Sequence, residues 1–178
     1  MDFNPNILGY IFECAPTPLT SGGVGLYIIN ESLKYTVTEK TSNEAFQALW
    51  IEIHSSQKCK IICGIVYRQH NSPQRFQEYF EETFEKLIAS NKSVYIMGDF
   101  NINLLHAESS RYAQELLLSL QSFSFTPTID KPIRVHNSSA TLIDNILTNK
   151  VDANITRGNT VSDIRRPFFT VLCLPHFL

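Results

Sequence analysis

The chain has 178 residues, a formal net charge of -2, 43% hydrophobic residues and 18% charged residues. This composition suits one globular domain with a full core and excludes a disordered chain. No apolar run approaches the roughly 20 residues that cross a bilayer, the start lacks the pattern of a signal peptide, and the charge gives no general attraction to nucleic acid. We expect an intracellular protein without a membrane span, in the nucleus or the cytoplasm.

The cysteines and histidines show no metal-binding spacing. The four cysteines contain no Cys-x-x-Cys pair and no clustered histidine, which predicts free, buried thiols rather than a zinc site or a disulfide framework. They are Cys14, Cys59, Cys63 and Cys173. The five histidines are predicted to be solvated rather than catalytic: His54, His70, His106, His136 and His176.

The first half of the chain predicts two pairs of strands. Residues 1–21 are predicted to be an amino-terminal remnant and loop. The apolar stretch 24–29 and the region 35–38 are predicted to form a hairpin. Residues 46–54 and 58–68 are rich in β-branched and aromatic side chains, and a polar turn separates them, so they predict a second antiparallel pair.

The hydrophobic period then changes to that of a helix. Ser72 is suited to cap the helix, and Pro73 fits its first position, where the missing N–H costs nothing. Apolar residues recur at spacings of three and four: Phe76, Phe80, Phe84, Leu87 and Ile88. This spacing predicts an amphipathic helix.

Strands and helices alternate in the second half. Residues 93–100 predict a buried strand, and the spacing of apolar residues from Tyr112 to Leu120 predicts a second helix. Residues 141–149 and 168–174 predict two further apolar strands. Paired strands mixed with helices favour an α/β or α+β sandwich over an all-β or all-α fold.

The most informative short motif is Gly98-Asp99-Phe100-Asn101, at the end of a predicted strand. Side chains alternate along a strand, so Asp99 and Asn101 are expected to face one way and Phe100 the other, into apolar packing. The carboxyl ends of strands are where α/β folds commonly bind ligands. For this motif alone, a turn in which Asp99 merely caps backbone N–H groups is the stronger reading.

Four further segments occur in a fixed order around this motif: GGVGLYI, YRQHNSP, IRVHNSSATLIDNILTN and TVSDIRRPFFTVL. Together they resemble the endonuclease/exonuclease/phosphatase superfamily, and most closely the endonuclease domain of non-LTR retroelements, over about residues 22–174. The predicted fold is therefore α/β, with two packed β-sheets flanked by helices, and residues 22–178 are expected to form a partial, amino-terminally truncated domain of this kind. The resemblance implies Mg²⁺-dependent hydrolysis of phosphodiesters, DNA as partner, and a former fusion to a reverse transcriptase.

The resemblance also implies roles for individual residues. Asp99 would orient or deprotonate the attacking water, and Asn101 would hold that water or a phosphate oxygen. Tyr67 would donate a hydrogen bond to a developing oxyanion, although strand-end packing explains it equally well. Asp144 would correspond to the aspartate that orients the family's catalytic histidine. Three residues are further candidates for binding substrate, although turn and solvated-loop roles are commoner for such residues: Arg134, Ser139 and Thr141.

Two departures from the family pattern bear on activity. The family's metal-binding Glu precedes the GGVGLYI segment, and Glu13, which is the acidic residue near that position, is interpreted as an ordinary loop residue. Asp99 is then the nearest candidate for a metal ligand. The family also ends in Ser-Asp-His before an apolar strand, whereas this chain has SDIRRPFF.

This last segment fits the family in two registers. Aligned without a gap, Arg166 and Pro167 replace the family's terminal Asp and His. In the other register Ser162 and Asp163 match Ser-Asp, and Ile164 takes the place of the histidine. Neither supplies an imidazole, and an acid/base group contributes about 10²- to 10⁴-fold to a rate.

These features predict a degenerate retroelement endonuclease domain that is weakly active or inactive. The alternative is a noncatalytic remnant that binds nucleic acid or protein. A third reading is a fragment of an intact enzyme, in which upstream sequence supplies the missing ligand.

Overall fold

A computed structural model describes residues 6–19, 22–29, 33–54, 60–70, 73–132, 134–136, 139–150, 156–160 and 169–173. A mixed sheet of six strands forms its centre, in the order β3-β4-β5-β6-β10-β7. These strands are β3 (Lys34–Ser42), β4 (Phe46–His54), β5 (Lys60–Arg68), β6 (Ser93–Asp99), β7 (Thr126–Pro127) and β10 (Asp144–Thr148). The pair β5 and β6 is parallel, and each other pair in this sheet is antiparallel.

Three two-stranded sheets accompany the central one. They pair β1 (Tyr10–Ala15) with β2 (Val24–Ile29), β8 (Arg134–His136) with β9 (Ser139–Thr141), and β11 (Thr156–Thr160) with β12 (Phe169–Cys173). All three are antiparallel. The predicted fold class, a two-sheet sandwich flanked by helices, is confirmed.

The hairpin predicted between residues 24–29 and 35–38 is wrong. β2 pairs with β1, in a stretch expected to be remnant and loop, whereas β3 pairs with β4 in the central sheet. The two neighbours in sequence thus belong to different layers. Alternation in β3 leaves one face half-buried and the other exposed, as for an edge strand of the larger sheet.

Two helices and a short 3₁₀ helix complete the described structure. The helix α1 (Pro73–Ala89) begins at the predicted proline; Ser72 lies outside the described residues. The 3₁₀ helix spans Leu104–Ser109 and is followed by α2 (Arg111–Ser122), which starts where the Ser110 hydroxyl accepts a hydrogen bond from the Ala113 N–H. Among the described residues, no helix is both long and apolar enough to span a bilayer.

Two apolar clusters lie on opposite faces of the central sheet. The outer cluster joins the sheet to α1 and α2 and includes Phe76, Phe80 and Phe84, each almost completely buried. The inner cluster joins the sheet to β1 and β2 through Ala15 and Val24, among others. Both helices therefore pack on one face of the central sheet. The small sheet of β1 and β2 packs on the opposite, inner face, which forms the sandwich.

Other predicted features are confirmed in part. The strand expected at 141–149 is divided into β9 and β10 by Leu142 and Ile143. Cys63 is a buried free thiol and Cys14 a partly buried one; burial raises the pKa of Cys63 to about 12. The side chains of Cys59 and Cys173 lie outside the described residues.

Three histidines, His54, His70 and His106, are exposed as expected. The side chains of His136 and His176 lie outside the described residues.

Candidate functional site

Three of the predicted site residues lie in one row across the central sheet. Tyr67 on β5 is the register partner of Asp99 on β6, and Asp99 is the register partner of Asp144 on β10. On the other side of Tyr67, its register partner on β4 is Gln47. Because neighbouring strands lie about 4.8 Å apart, residues distant in sequence become neighbours at one end of the sheet.

Alternation along the strands places this row on the inner face. On β6, Tyr95 and Met97 belong to the inner cluster, and Asp99 is two residues beyond Met97. On β10, Ile146 belongs to the same cluster and Asp144 is two residues before it. Tyr67 itself packs against this cluster. The phenol and the two carboxylates therefore share a face of the sheet. Asn101, which was expected to face the same way as Asp99, lies beyond the end of β6, where strand alternation no longer applies.

Gly98 permits the close approach that aligns the row. Its φ is +155°, and a Cβ at this position would lie 1.8 Å from the backbone oxygen of Val66 on the adjacent strand. No L side chain fits there without moving β5 away from β6. The glycine of the GDFN motif is thus required for Tyr67 and Asp99 to stay in register.

The turn after β6 is tied back to β5. The Asp99 carboxylate accepts a hydrogen bond from the Asn101 N–H at 2.9 Å, so Asp99 does cap a backbone donor, as the simpler reading of the motif proposed. Asn101 has a left-handed φ of 50°. Its side-chain amide donates to the Arg68 carbonyl, which commits one of its hydrogens to holding the turn.

Arg68 is a buried residue of this region that sequence reasoning missed. It is 4% exposed, and its guanidinium donates from Nε to the Phe100 carbonyl at 2.6 Å and from Nη2 to the Asn101 carbonyl at 2.8 Å. Burial lowers the pKa of this guanidinium, while the negative charge of Asp99 acts in the opposite direction. The only sequence signal was a charged residue ending an apolar strand, directly after Tyr67.

Gln47 and Asn145 are two further buried amides that the sequence did not single out. The Gln47 Oε1 accepts from the Gly23 N–H at 3.2 Å and so holds the Gly-Gly loop beside Tyr67. Gly22 in that loop has a φ of +116°, and a Cβ there would lie 3.0 Å from a ring carbon of Tyr67. Asn145, beside Asp144, accepts from Thr128 N–H and fixes the segment after β7.

The remaining predicted residues lie on or outside neighbouring elements. Arg134 and Thr141 are register partners in the β8–β9 hairpin, and Ser139 pairs with His136. The side chains of Arg134 and Ser139 are not among those described, and Thr141 is half-buried. Most of the segment SDIRRPFF lies outside the described residues, including Arg165, Arg166 and Pro167. Its last residue, Phe169, is the first residue of β12.

Glu13 is not the loop residue that was expected. It lies in β1, where it forms an ion pair with Lys40 at 2.7 Å and accepts a hydrogen bond from the Tyr35 hydroxyl at 3.1 Å. These contacts, led by the hydrogen bond from Lys40, lower the pKa of Glu13. The carboxylate joins the two sheets, because β1 belongs to the small sheet and Lys40 to the large one.

The row offers part of a ligand set for a hard cation. Mg²⁺ is usually held by one or two carboxylates together with waters and substrate phosphate. Asp99 and Asp144 supply two carboxylates on adjacent strands. No group of three or more His, Cys, Asp or Glu side chains in the described part of the chain is arranged to hold a metal. The two carboxylates are therefore a partial ligand set, and a Mg²⁺ ion there would need waters and a substrate phosphate to complete its coordination.

No family model matches the sequence, and no curated protein matches it. The three-dimensional structure, in contrast, matches solved proteins of one class. A Bacteroides thetaiotaomicron endonuclease/exonuclease/phosphatase family protein superposes with a TM-score of 0.55 and 10% identity, covering 92% of this chain and 69% of that one. The chain thus has the endonuclease/exonuclease/phosphatase fold, as the resemblance in its motifs predicted.

A retroelement domain is among the similar structures. The endonuclease domain of TRAS1, a telomere-specific non-LTR retrotransposon, gives a TM-score of 0.60 at 13% identity and covers 89% of this chain and 73% of that one. The catalytic domain of human Nocturnin, solved with a bound sulfate anion, gives 0.56 at 12% identity, with coverage of 96% and 68%. At these identities the likeness is one of fold, and activity has to be argued from the site.

Proposed function

We propose that this chain is a degenerate retroelement-type DNA endonuclease domain, a Mg²⁺-dependent phosphodiesterase of low turnover. The single observation that supports this most strongly is the row in which Tyr67, Asp99 and Asp144 occupy one face at one end of the sheet. A phenol beside two carboxylates is suited to bind a phosphodiester and its attacking water. The solved TRAS1 domain, which is named as an endonuclease, has the same fold.

Each residue has a defined task in this proposal. Asp99 orients or deprotonates the water, and Asn101 holds it or a phosphate oxygen with the part of its amide that Arg68 does not engage. Tyr67 donates to the oxyanion that develops on phosphorus. Asp99 is the first candidate to hold Mg²⁺, with Asp144 beside it, and the ion would supply charge neutralisation at the phosphate.

The expected turnover is low because of the segment SDIRRPFF. In the gap-free register, Pro167 takes the place of the histidine that would pair with Asp144, and proline can neither donate nor accept a proton. In the same register, Arg166 takes the place of the aspartate that the family would have near the metal, which reverses the charge at that position. Loss of an acid/base group alone costs about 10²- to 10⁴-fold in rate.

The second candidate function is binding of nucleic acid without cleavage. The adjacent Arg165 and Arg166 in the sequence favour it, since in the gap-free register they put two cations where the family has a serine and an aspartate. Two phosphate contacts give only a small salt dependence, with a slope of about -2 in log K against log salt. A former link to a reverse transcriptase belongs to the same proposal of retroelement origin.

Nicking of a supercoiled plasmid with and without Mg²⁺ tests the first function. We expect slow, metal-dependent nicking that Asp99→Ala abolishes. The matched control is Glu82→Ala, which removes an exposed carboxylate from α1 and should leave nicking unchanged. Binding of DNA that weakens with salt, without cleavage at any Mg²⁺ concentration, would support the binding remnant and overturn the endonuclease.

A further inference from the structure

We propose that Arg68 is a positioning residue: its buried guanidinium fastens the turn that follows Asp99 to the end of the strand that carries Tyr67, and so sets the catalytic geometry. This inference rests on the proposed function for its chemical consequence. Its structural part, the fastening of the turn, can be tested without any cleavage.

The contact is reciprocal. Arg68 donates two hydrogen bonds to consecutive carbonyls, those of Phe100 and Asn101, and the Asn101 side chain donates back to the Arg68 carbonyl. The parallel pairing of β5 and β6 ends at Tyr67 and Asp99. These three hydrogen bonds therefore replace the ladder at the point where it stops.

The turn needs such support because its backbone is unfavourable. Asn101 has a left-handed φ of 50°, and Phe100 between Asp99 and Asn101 packs into the outer cluster. A left-handed residue other than glycine persists where its surroundings hold it. Two charge-assisted donors on adjacent carbonyls supply that constraint, because hydrogen bonds to a charged group are stronger than neutral ones.

Arg68 is also an expensive residue to bury. Its Nη1 is buried and has no hydrogen-bond partner. A buried, unsatisfied donor on a charged group calls for an explanation, since an apolar side chain of similar length would pack there without that cost. Fixing the turn that bears Asp99 and Asn101 is an explanation that uses the two donors which are engaged.

The planar fork of arginine matters for this task. Nε and Nη2 lie on one edge of the guanidinium and reach two carbonyls at once, whereas a lysine ammonium is a single point of attachment. Arg68→Lys is thus expected to keep one of the two contacts, and Arg68→Met to keep neither while filling similar volume. Comparing these two variants distinguishes the effect of losing the hydrogen bonds from the effect of changing the packing of the side chain.

The experiment compares Arg68→Met, Arg68→Lys and a core control, Leu87→Ala, with the unchanged chain. Leu87 is a buried residue near the end of α1 and lies in the outer cluster. Three quantities are measured for each: backbone amide exchange at residues 99–104, the affinity for a fluorescent DNA duplex, and the single-turnover nicking rate at saturating protein with Mg²⁺. The melting temperature of each variant is also measured, so that effects on exchange, affinity and rate can be compared at equal loss of stability.

We expect Arg68→Met to accelerate amide exchange selectively at residues 99–104 and to lower the saturated nicking rate at least 30-fold, with DNA affinity changed less than threefold. Arg68→Lys should recover part of both effects. Leu87→Ala should lower the melting temperature without slowing the saturated rate of the folded protein.

Two results would overturn the positioning role. The first is unchanged exchange at residues 99–104 in Arg68→Met, which applies even if the chain does not cleave DNA. The second is a rate loss that Leu87→Ala reproduces at the same melting temperature. Absence of nicking in the unchanged chain would instead count against the proposed function, and the exchange measurement would still decide whether Arg68 holds the turn.

Discussion

Asp144 lies directly opposite Asp99 on the neighbouring antiparallel strand. Two carboxylates facing each other across a strand pair repel, and such pairs lower stability unless other charges offset them. Among the described cations, the buried guanidinium of Arg68 interacts electrostatically with Asp99. Under the proposed function, the pair would be a place where stability is given up for chemistry.

The approach of β5 to β6 predicts a severe effect of Gly98→Ala. The new Cβ would lie 1.8 Å from the Val66 carbonyl oxygen, so the strands must separate. We expect a loss of about 3 to 5 kcal/mol in the free energy of unfolding, in the range of severe packing and backbone defects. Urea denaturation measures it. Gly9→Ala is the control: φ there is also positive, but no atom lies within 4 Å of its Cβ, so a loss of about 1 kcal/mol is expected. Equal losses at both positions would contradict the steric explanation.

The phenol of Tyr67 is expected to act in the chemical step rather than in folding. Tyr67→Phe keeps the ring that packs on the inner cluster and removes the hydroxyl. Loss of a donor to a developing oxyanion costs about 10²- to 10³-fold in rate, while the melting temperature should hardly change. Plasmid nicking by the unchanged chain and by Tyr67→Phe gives the ratio of their rates. Tyr35→Phe, which removes a hydroxyl bonded to Glu13 outside the row, should leave the rate unchanged; if Tyr67→Phe does the same, the phenol has no catalytic part.

The two registers of SDIRRPFF predict different restorations of activity. In the gap-free register the double change Arg166→Asp with Pro167→His supplies an acid and an imidazole for Asp144, and nicking should rise by about 10²-fold or more. In the rival register the single change Ile164→His should have this effect instead. Assaying both proteins under the same Mg²⁺ conditions decides between them. A rise in neither would count against both registers.

An ion-pair cluster at the opposite end of the sheet predicts a pH dependence of stability. Glu52 contacts Lys92 at 2.6 Å and Lys60 at 2.9 Å, and the hydrogen bond from Lys92, followed by that from Lys60, lowers the pKa of Glu52 below its ordinary value of 4.5. A lowered pKa in the folded state means that the stabilisation is complete above about pH 4.5 and is lost as the pH falls through the folded value. Because the lysines are partly exposed, each pair contributes about 1 kcal/mol or less.

Glu52→Gln tests this sign. Between pH 6 and pH 3 the unchanged chain should lose more unfolding free energy in urea than the variant does, and the difference between them should shrink at the acid end. If the difference in unfolding free energy between the two proteins stays constant with pH, the Glu52 charge does not contribute to stability. High salt should also narrow the gap at pH 6.

Local patterns in the sequence were sufficient for several elements. Spacing from Phe76 to Ile88 predicted α1, and Pro73 marked its beginning, because a helix is defined by contacts within one or two turns. The alternation in GDFN predicted that Asp99 points away from Phe100, since the side-chain period of a strand is fixed. Motif order also indicated the fold, which depends on the whole set of segments rather than on any one of them.

The antiparallel pair of β4 and β5 was predicted correctly, but the partners of the other strands in the central sheet were decided only by the tertiary structure. Nothing between Val24 and Ile29 distinguishes pairing with the following strand from pairing with β1, and the predicted hairpin was wrong because each sheet buries a different face. The alignment of Tyr67, Asp99 and Asp144 and the burial of Arg68 are of the same kind. Each depends on register between segments far apart in the chain, where a shift of one residue would turn every side chain to the other face. The sequence by itself thus determined which residues are candidates for the site and the local shape around them; only strand pairing and packing decided that they meet.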